Sequence, residues 1–318
     1  MLGCMKTTVE SDSAYTPRSA SSPGRFRWVV ACAAIVGIVP YVALKVLWIS
    51  GSRVGIDDPE FGRGGAMAVL NAGTAVMDVI AVLLALSFVT EWGRKIPAPV
   101  LLLPMWVATG LLGQILVILP VQLVVGTESS PEGKGASVLA DWVPTVVYSG
   151  FAWQGFFLIL GFALYAKDRW GTRVIARGPE HSGVGAGLAV IGCCAIAVST
   201  LVSKGPGPLE TVNAVASSVI ALFTGAAVVV FAWNWGSHRL PLVRLAAAGF
   251  GWFGSGAMFA WGTYLTVMAV VPNDLRSSDG IDVASVMLTS LTAAVGAICG
   301  IVLLRTIARR PNAANVAN

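Results

Sequence analysis

The chain has 318 residues, 56% of them apolar and only 12% charged, with a mean hydropathy of +0.77 and a formal net charge of +5. Soluble proteins carry about 25% Asp, Glu, Lys and Arg; half that density cannot cover a 33.0 kDa surface with ionised groups, which excludes a soluble domain. The basic residues stand beside apolar runs rather than in one dense block, so no nucleic-acid partner is expected and the main partner is the lipid bilayer.

Residues 1–27 are rich in Ser and Thr, carry Pro17 and Pro23, and lack a periodic apolar face, which predicts a disordered cytoplasmic tail. Eight apolar runs follow, at 28–50, 66–90, 97–125, 143–166, 183–203, 211–235, 245–271 and 284–305. Each approaches or exceeds the roughly 20 residues that cross a bilayer. No small-residue cleavage pattern ends the first run, so it is expected to remain as a membrane helix. The connections are short, which makes consecutive spans antiparallel neighbours. The predicted fold is an all-α polytopic bundle in two four-helix halves, 28–166 and 167–305, closed by a cytoplasmic tail at 306–318.

Lys and Arg set the orientation. Fifteen of them, among them Arg25, Arg27, Arg94, Lys95, Lys167, Arg169, Arg239 and Arg305, fall on one side; only Arg53, Arg63, Lys134, Lys204 and Arg276 fall on the other. The positive-inside rule then places both termini in the cytoplasm of a cell whose plasma membrane holds the protein. Self-similarity appears at a spacing of about 142 residues: Asn71-Ala72 recurs as Asn213-Ala214, Trp92-Gly93 as Trp235-Gly236, and Asp141 as Asp282. Two readings stand, a parallel 4+4 tandem repeat about an axis along the membrane normal or chance similarity between apolar helices. Trp92-Gly93, Trp170-Gly171 and Trp235-Gly236 read as headgroup-level tryptophans followed by left-handed glycine caps.

Two ionisable residues fall within the runs, and such residues are costly at membrane depth. Lys45 lies about five residues, or about 8 Å, below the outer end of the first span, and Asp78 about twelve, or about 18 Å, below that of the second. Lys45 shares a helix face with Tyr41 and Trp48, so it either snorkels to the outer headgroups or stands at the mouth of a cavity. Pro40 lacks an N–H and frees the carbonyl of Val36. Asn71, Thr74 and Asp78 form one polar stripe, and Gln114 and Gln154, the latter beside Trp153, lie about 17 Å deep in the third and fourth spans. That layer is either interhelical hydrogen bonding or a small outward-opening cavity with Asp78 as its protonatable group. From the axial offset of about 10 Å, Lys45 and Asp78 are expected to meet through water rather than directly.

Five scattered cysteines and two distant histidines give no metal-ligand spacing, and no cofactor or metal is expected. The stretch Pro40-Tyr41-x-x-Leu44-Lys45-x-x-Trp48-x-x-Gly51, with Glu91-Trp92-Gly93-Arg94-Lys95 and Pro97, resembles uncharacterised multi-pass membrane proteins of actinobacteria. The resemblance would cover most of the membrane region and makes Lys45 part of its pattern, while implying no activity, substrate or catalytic residue. The functional expectation is a small-solute transporter with a small-molecule ligand, proton-coupled through Asp78. The competing one is a non-transporting immunity, assembly or sensor component. An enzyme ranks last, since no nucleophile and base are paired.

Overall fold

The computed structural model describes residues 24–58, 65–125, 139–175, 183–233, 241–271 and 281–308. They form ten helices: α1 (Arg25–Val36), α2 (Val39–Ile49), α3 (Gly65–Ser87), α4 (Glu91–Lys95), α5 (Ala98–Val125), α6 (Trp142–Ile175), α7 (Val184–Val202), α8 (Pro208–Ala232), α9 (Pro241–Val270) and α10 (Val283–Ala308). Among the described residues there is no strand, only an isolated antiparallel bridge between Ile56 and Leu139.

Six stretches are long and apolar enough to cross a bilayer: Arg25–Ile49, which joins α1 to α2, Ala98–Gln122, Trp142–Trp170, Val184–Val202, Pro208–Ala232 and Val283–Thr306. The protein is an integral membrane protein built as a helical bundle. The other two expected spans coincide with α3, whose apolar stretch Asn71–Ser87 is shorter, and with α9, where Arg244, Trp252, Trp261, Tyr264 and several glycines dilute the apolar sequence. Large apolar side chains such as Val79, Leu103, Ile191, Phe223 and Met287 project outward, as lipid-facing positions do.

The helices gather around two cores. Ala31, Ala34, Leu84, Phe88, Met105 and Leu158 close one between α1, α3, α5 and α6; Ile196, Ala221, Val228, Phe231, Val295 and Cys299 close the other within α7–α10. In the second, buried Arg244 lies with its guanidinium 4.9 Å from the centre of the Phe231 ring. The two cores join where α5 crosses α9 near the midpoints of both helices. A Cβ at Gly110 would come within 2.2 Å of the Gly256 backbone, so the crossing brings main chain against main chain. Three indole N–H groups hold the seam: Trp106 donates to Ser255 Oγ (3.0 Å), Trp252 to Thr109 Oγ1 (3.4 Å) and Trp261 to the Leu111 carbonyl (3.2 Å).

Several expectations are corrected. Residues 1–23 of the expected tail lie outside the described residues, but Arg25, Phe26 and Arg27 form the first turn of α1. Arg27 explains the early start, since its guanidinium donates to the Leu164 carbonyl (3.0 Å) and pairs with Asp168 on α6. The first span is interrupted at Gly37-Ile38 rather than continuous. The fourth runs on past residue 166 to Ile175, because Asp168 and Arg169 find partners there.

The glycine-cap reading also fails. Gly93 lies inside the short helix α4 and Trp170-Gly171 inside α6, and the positive-φ glycines of the described residues are Gly51 and Gly55 instead. Gly93 is required by close approach, since a Cβ there would fall 1.8 Å from the Ser87 carbonyl oxygen. Its own carbonyl accepts from Tyr165 Oη (2.9 Å), and Arg169 donates Nη2 to the Ile96 carbonyl (2.9 Å), tying the α4 turn to α6. Trp235-Gly236 lies outside the described residues.

Candidate functional site

The site is built where α2 faces α3. Leu44 and Lys45 are the buried residues of α2, and Lys45 is only 4% exposed. Its Nζ lies 3.1 Å from Asp78 Oδ2 on α3, a direct ion pair and hydrogen bond. The expected water bridge is thus replaced by contact, for a geometric reason. Side chains on a helix lean toward its N-terminus. On antiparallel neighbours, Lys45 leans back along α2 while Asp78 leans back along α3, so both close the offset. Snorkelling is excluded by the same observation, since the ammonium turns inward and meets a carboxylate.

Aromatic and hydroxyl groups complete the surroundings. Lys45 Nζ lies 4.0 Å from the centre of the Tyr41 ring, one turn earlier on α2, where the ring's negative face adds a second stabilising contact for the cation. Tyr41 meets Phe151 of α6 edge-on at 4.9 Å, and its hydroxyl shares a side-chain hydrogen bond with Thr74 of α3. Thr74 Oγ1 in turn donates to the Asn71 carbonyl (3.1 Å). Two members of the expected stripe Asn71, Thr74, Asp78 therefore face α2, Thr74 toward Tyr41 and Asp78 toward Lys45.

The remaining candidates go elsewhere. Trp48 gives its indole N–H to the Val54 carbonyl (2.9 Å) and so braces the loop after α2 instead of flanking Lys45. That loop turns through Gly51 and Gly55 at φ 88° and 74°, and is pinned to the start of α6 where Ala140 N donates to the Gly55 carbonyl (3.1 Å). Gln114 is half-buried on α5, and Gln154 is 3% exposed on α6, against the break in the first span. Neither is hydrogen-bonded to the Lys45–Asp78 pair. Half-exposed Trp153 donates to the Ala33 carbonyl (2.9 Å). The single polar layer of the sequence is thus two places: the ion pair between α2 and α3, and Gln154 with Trp153 at the break.

Two polar contacts carry no sequence signal of their own. Gln122 donates to Asn213 Oδ1 (3.2 Å), linking α5 to α8, and the thiols of Cys193 and Cys299 lie 3.5 Å apart between α7 and α10. Cys194 faces outward, as expected for adjacent residues on a helix. No family model matches the chain, and neither a curated protein nor a solved structure matches it at a significant level.

Proposed function

We propose that the protein is a proton-coupled transporter of a small solute, with eight spans, both termini in the cytoplasm, and a place in the plasma membrane. One observation carries the reading: an ion pair between Lys45 and Asp78 enclosed within apolar helices. Ionisable groups at this depth are costly and mark ion or proton pathways. The pair also has a cheap second state. A proton on Asp78 cancels its attraction for Lys45, leaving the ammonium with the Tyr41 ring and freeing α2 to move against α3. The break at Gly37-Ile38 supplies the joint, since α2 is coupled to α1 through two non-helical residues.

The eight-span reading counts α3 and α9 with the six apolar stretches, and the Lys and Arg bias supports its orientation. The 4+4 repeat is supported by similar rings: α1/α2, α3, α5 and α6 pack around one core as α7, α8, α9 and α10 pack around the other, and Asp141 and Asp282 each precede the last helix of their half. Kinship with the actinobacterial multi-pass proteins rests on the Pro40–Gly51 pattern around Lys45 and on the Glu91–Lys95 stretch with Pro97.

Proteoliposomes carrying an internal pH dye and challenged with panels of amino acids, sugars and organic cations test the function. Native protein should acidify the lumen with one class of solute and Asp78→Asn should not, at equal incorporation. Equal traces from both proteins would instead support the non-transporting reading, in which the pair only holds α2 to α3. Reporter fusions after Lys95, Lys167 and Arg239 should read cytoplasmic and one after Gly135 external; any reversal would refute the topology.

A further inference from the structure

Three apolar stretches end at one corner of the first half. The first begins at Arg25, that of α5 begins at Ala98 just after α4, and that of α6 finishes at Trp170. Hydrogen bonds knit these ends together. Arg27 reaches the Leu164 carbonyl and pairs with Asp168, while the Gly93 carbonyl accepts from Tyr165 Oη and Arg169 Nη1. Arg27, Val89 and Leu164 also line one narrow fissure, so the start of α1, the turn into α4 and the end of α6 meet.

The corner holds more positive charge than its own carboxylates cancel. Arg25 of α1, Arg94 and Lys95 of α4 and Lys167 of α6 are exposed and, among the described residues, make no ion pair or hydrogen bond. Arg169 is held by the Gly93 and Ile96 carbonyls and the Tyr165 hydroxyl, none of which neutralises it. Against these cations and Arg27 stand two carboxylates, Asp168, already paired with Arg27, and exposed Glu91. Phe26, Trp28 and Trp92 are exposed beside the same charges, and tryptophan at the end of a span sits at headgroup level.

We propose that this corner binds the headgroup of an anionic phospholipid. The excess of unpaired cations calls for a negative partner, and their depth names lipid: Arg25, Lys95 and Lys167 each stand within three residues of the end of an apolar stretch, where headgroup phosphates lie. Basic residues gathered between helix ends at a membrane surface hold such headgroups, with arginine offering phosphate a fork of donors and lysine a point charge. The positive-inside bias accounts for cations on one side of the membrane, but not for their gathering around a single helix contact. A phosphate held here bridges α1, α4 and α6 at the root of the first span. The corner lies at the opposite end of that span from Lys45, and its role is independent of what the chain transports.

Purified full-length protein in an uncharged detergent is titrated with dioleoylphosphatidylglycerol or dioleoylphosphatidylcholine; bound lipid is counted by native mass spectrometry and the unfolding midpoint is followed in parallel. Phosphatidylglycerol should be retained and raise the midpoint saturably, and phosphatidylcholine should do neither. Each cation beside an anionic lipid surface contributes a factor of about five. Arg94→Gln/Lys95→Gln should therefore weaken phosphatidylglycerol binding about 25-fold, and Arg25→Gln/Lys167→Gln, on the other two helices, should do the same. Lys204→Gln, a cation outside the corner that donates to Thr211, should bind as the native protein does. Equal retention of the two lipids, native binding in both double variants, or equal weakening by Lys204→Gln would overturn the assignment. So would sodium phosphate that raises the midpoint as far as phosphatidylglycerol, since the corner would then take a free anion.

Discussion

The Lys45–Asp78 pair predicts strong non-additivity. At 3.1 Å and an effective dielectric of 20, the gross Coulomb attraction is about 5 kcal/mol. Much of this only offsets the desolvation of two groups that are 4% and 9% exposed. Lys45→Met keeps most of the stem and leaves a buried carboxylate without its cation, which should cost about 3–5 kcal/mol. Asp78→Asn should cost less, because the amide oxygen still accepts from Lys45. In Lys45→Met/Asp78→Asn no charge is stranded, and the loss should fall to about 1–2 kcal/mol. Unfolding in mixed micelles titrated with a denaturing detergent, run on the native protein and the three variants, yields the coupling energy. We expect at least about 2 kcal/mol. Additivity within about 0.5 kcal/mol, the behaviour of independent sites, would refute the argument that the pair is enclosed. Lys45→Arg should recover part of the loss, since the planar guanidinium keeps the charge but fills the space beside Tyr41 differently.

Gly93→Ala should destabilise by about 1–3 kcal/mol, because its methyl would meet the Ser87 carbonyl at 1.8 Å, whereas Gly73→Ala, with nothing within 4 Å, should be neutral or stabilising; thermal unfolding of both variants checks the contrast. Arg169→Met should cost about 1.5–3 kcal/mol through its lost charged hydrogen bonds to the Ile96 carbonyl and Tyr165, seen as a lowered unfolding midpoint that Asp168→Asn does not reproduce. Hydrogen bonds from the Ser285 side chain and backbone, and from the Ala284 amide, hold the Asp282 carboxyl below the usual range; its support for the start of α10 is therefore full above the ordinary carboxylate pKa of about 3.9 and is lost as pH falls below it. Asp282→Asn should flatten the acid arm of the stability profile, and an unchanged slope would count against that role.

Apolar runs located most of the helices to within a few residues, because at membrane depth helix is the form in which the backbone satisfies itself. Lys45 and Asp78 stood out by the same logic, being the charged residues that fall within the apolar runs. Their direct contact was not legible, since it depends on how two helices lean side chains toward one another, a relation absent from one-dimensional spacing. Gly93 was misread because Trp-Gly before basic residues resembles a helix end, while the constraint comes from Ser87 folding back onto it. The extension of α6 escaped notice because Asp168 and Arg169 look like loop residues until Arg27 and the Ile96 carbonyl are placed beside them. Pro40 pointed to a disturbed helix, but Gln154 became its neighbour only when α6 was packed against Gly37.

The glycine crossing of α5 and α9 sets an order of events during synthesis. The indole bonds across it join residues 143 to 150 positions apart. A ribosome adding about 5–20 residues per second needs roughly 7–30 s to travel that far. Throughout this interval α5 presents an unsealed face, with Gly110, Thr109 and Trp106 lacking the counterparts that α9 later supplies. The nascent first half must therefore wait beside lipid or the insertion machinery with its seam open, and truncation anywhere before α9 strands it in that condition.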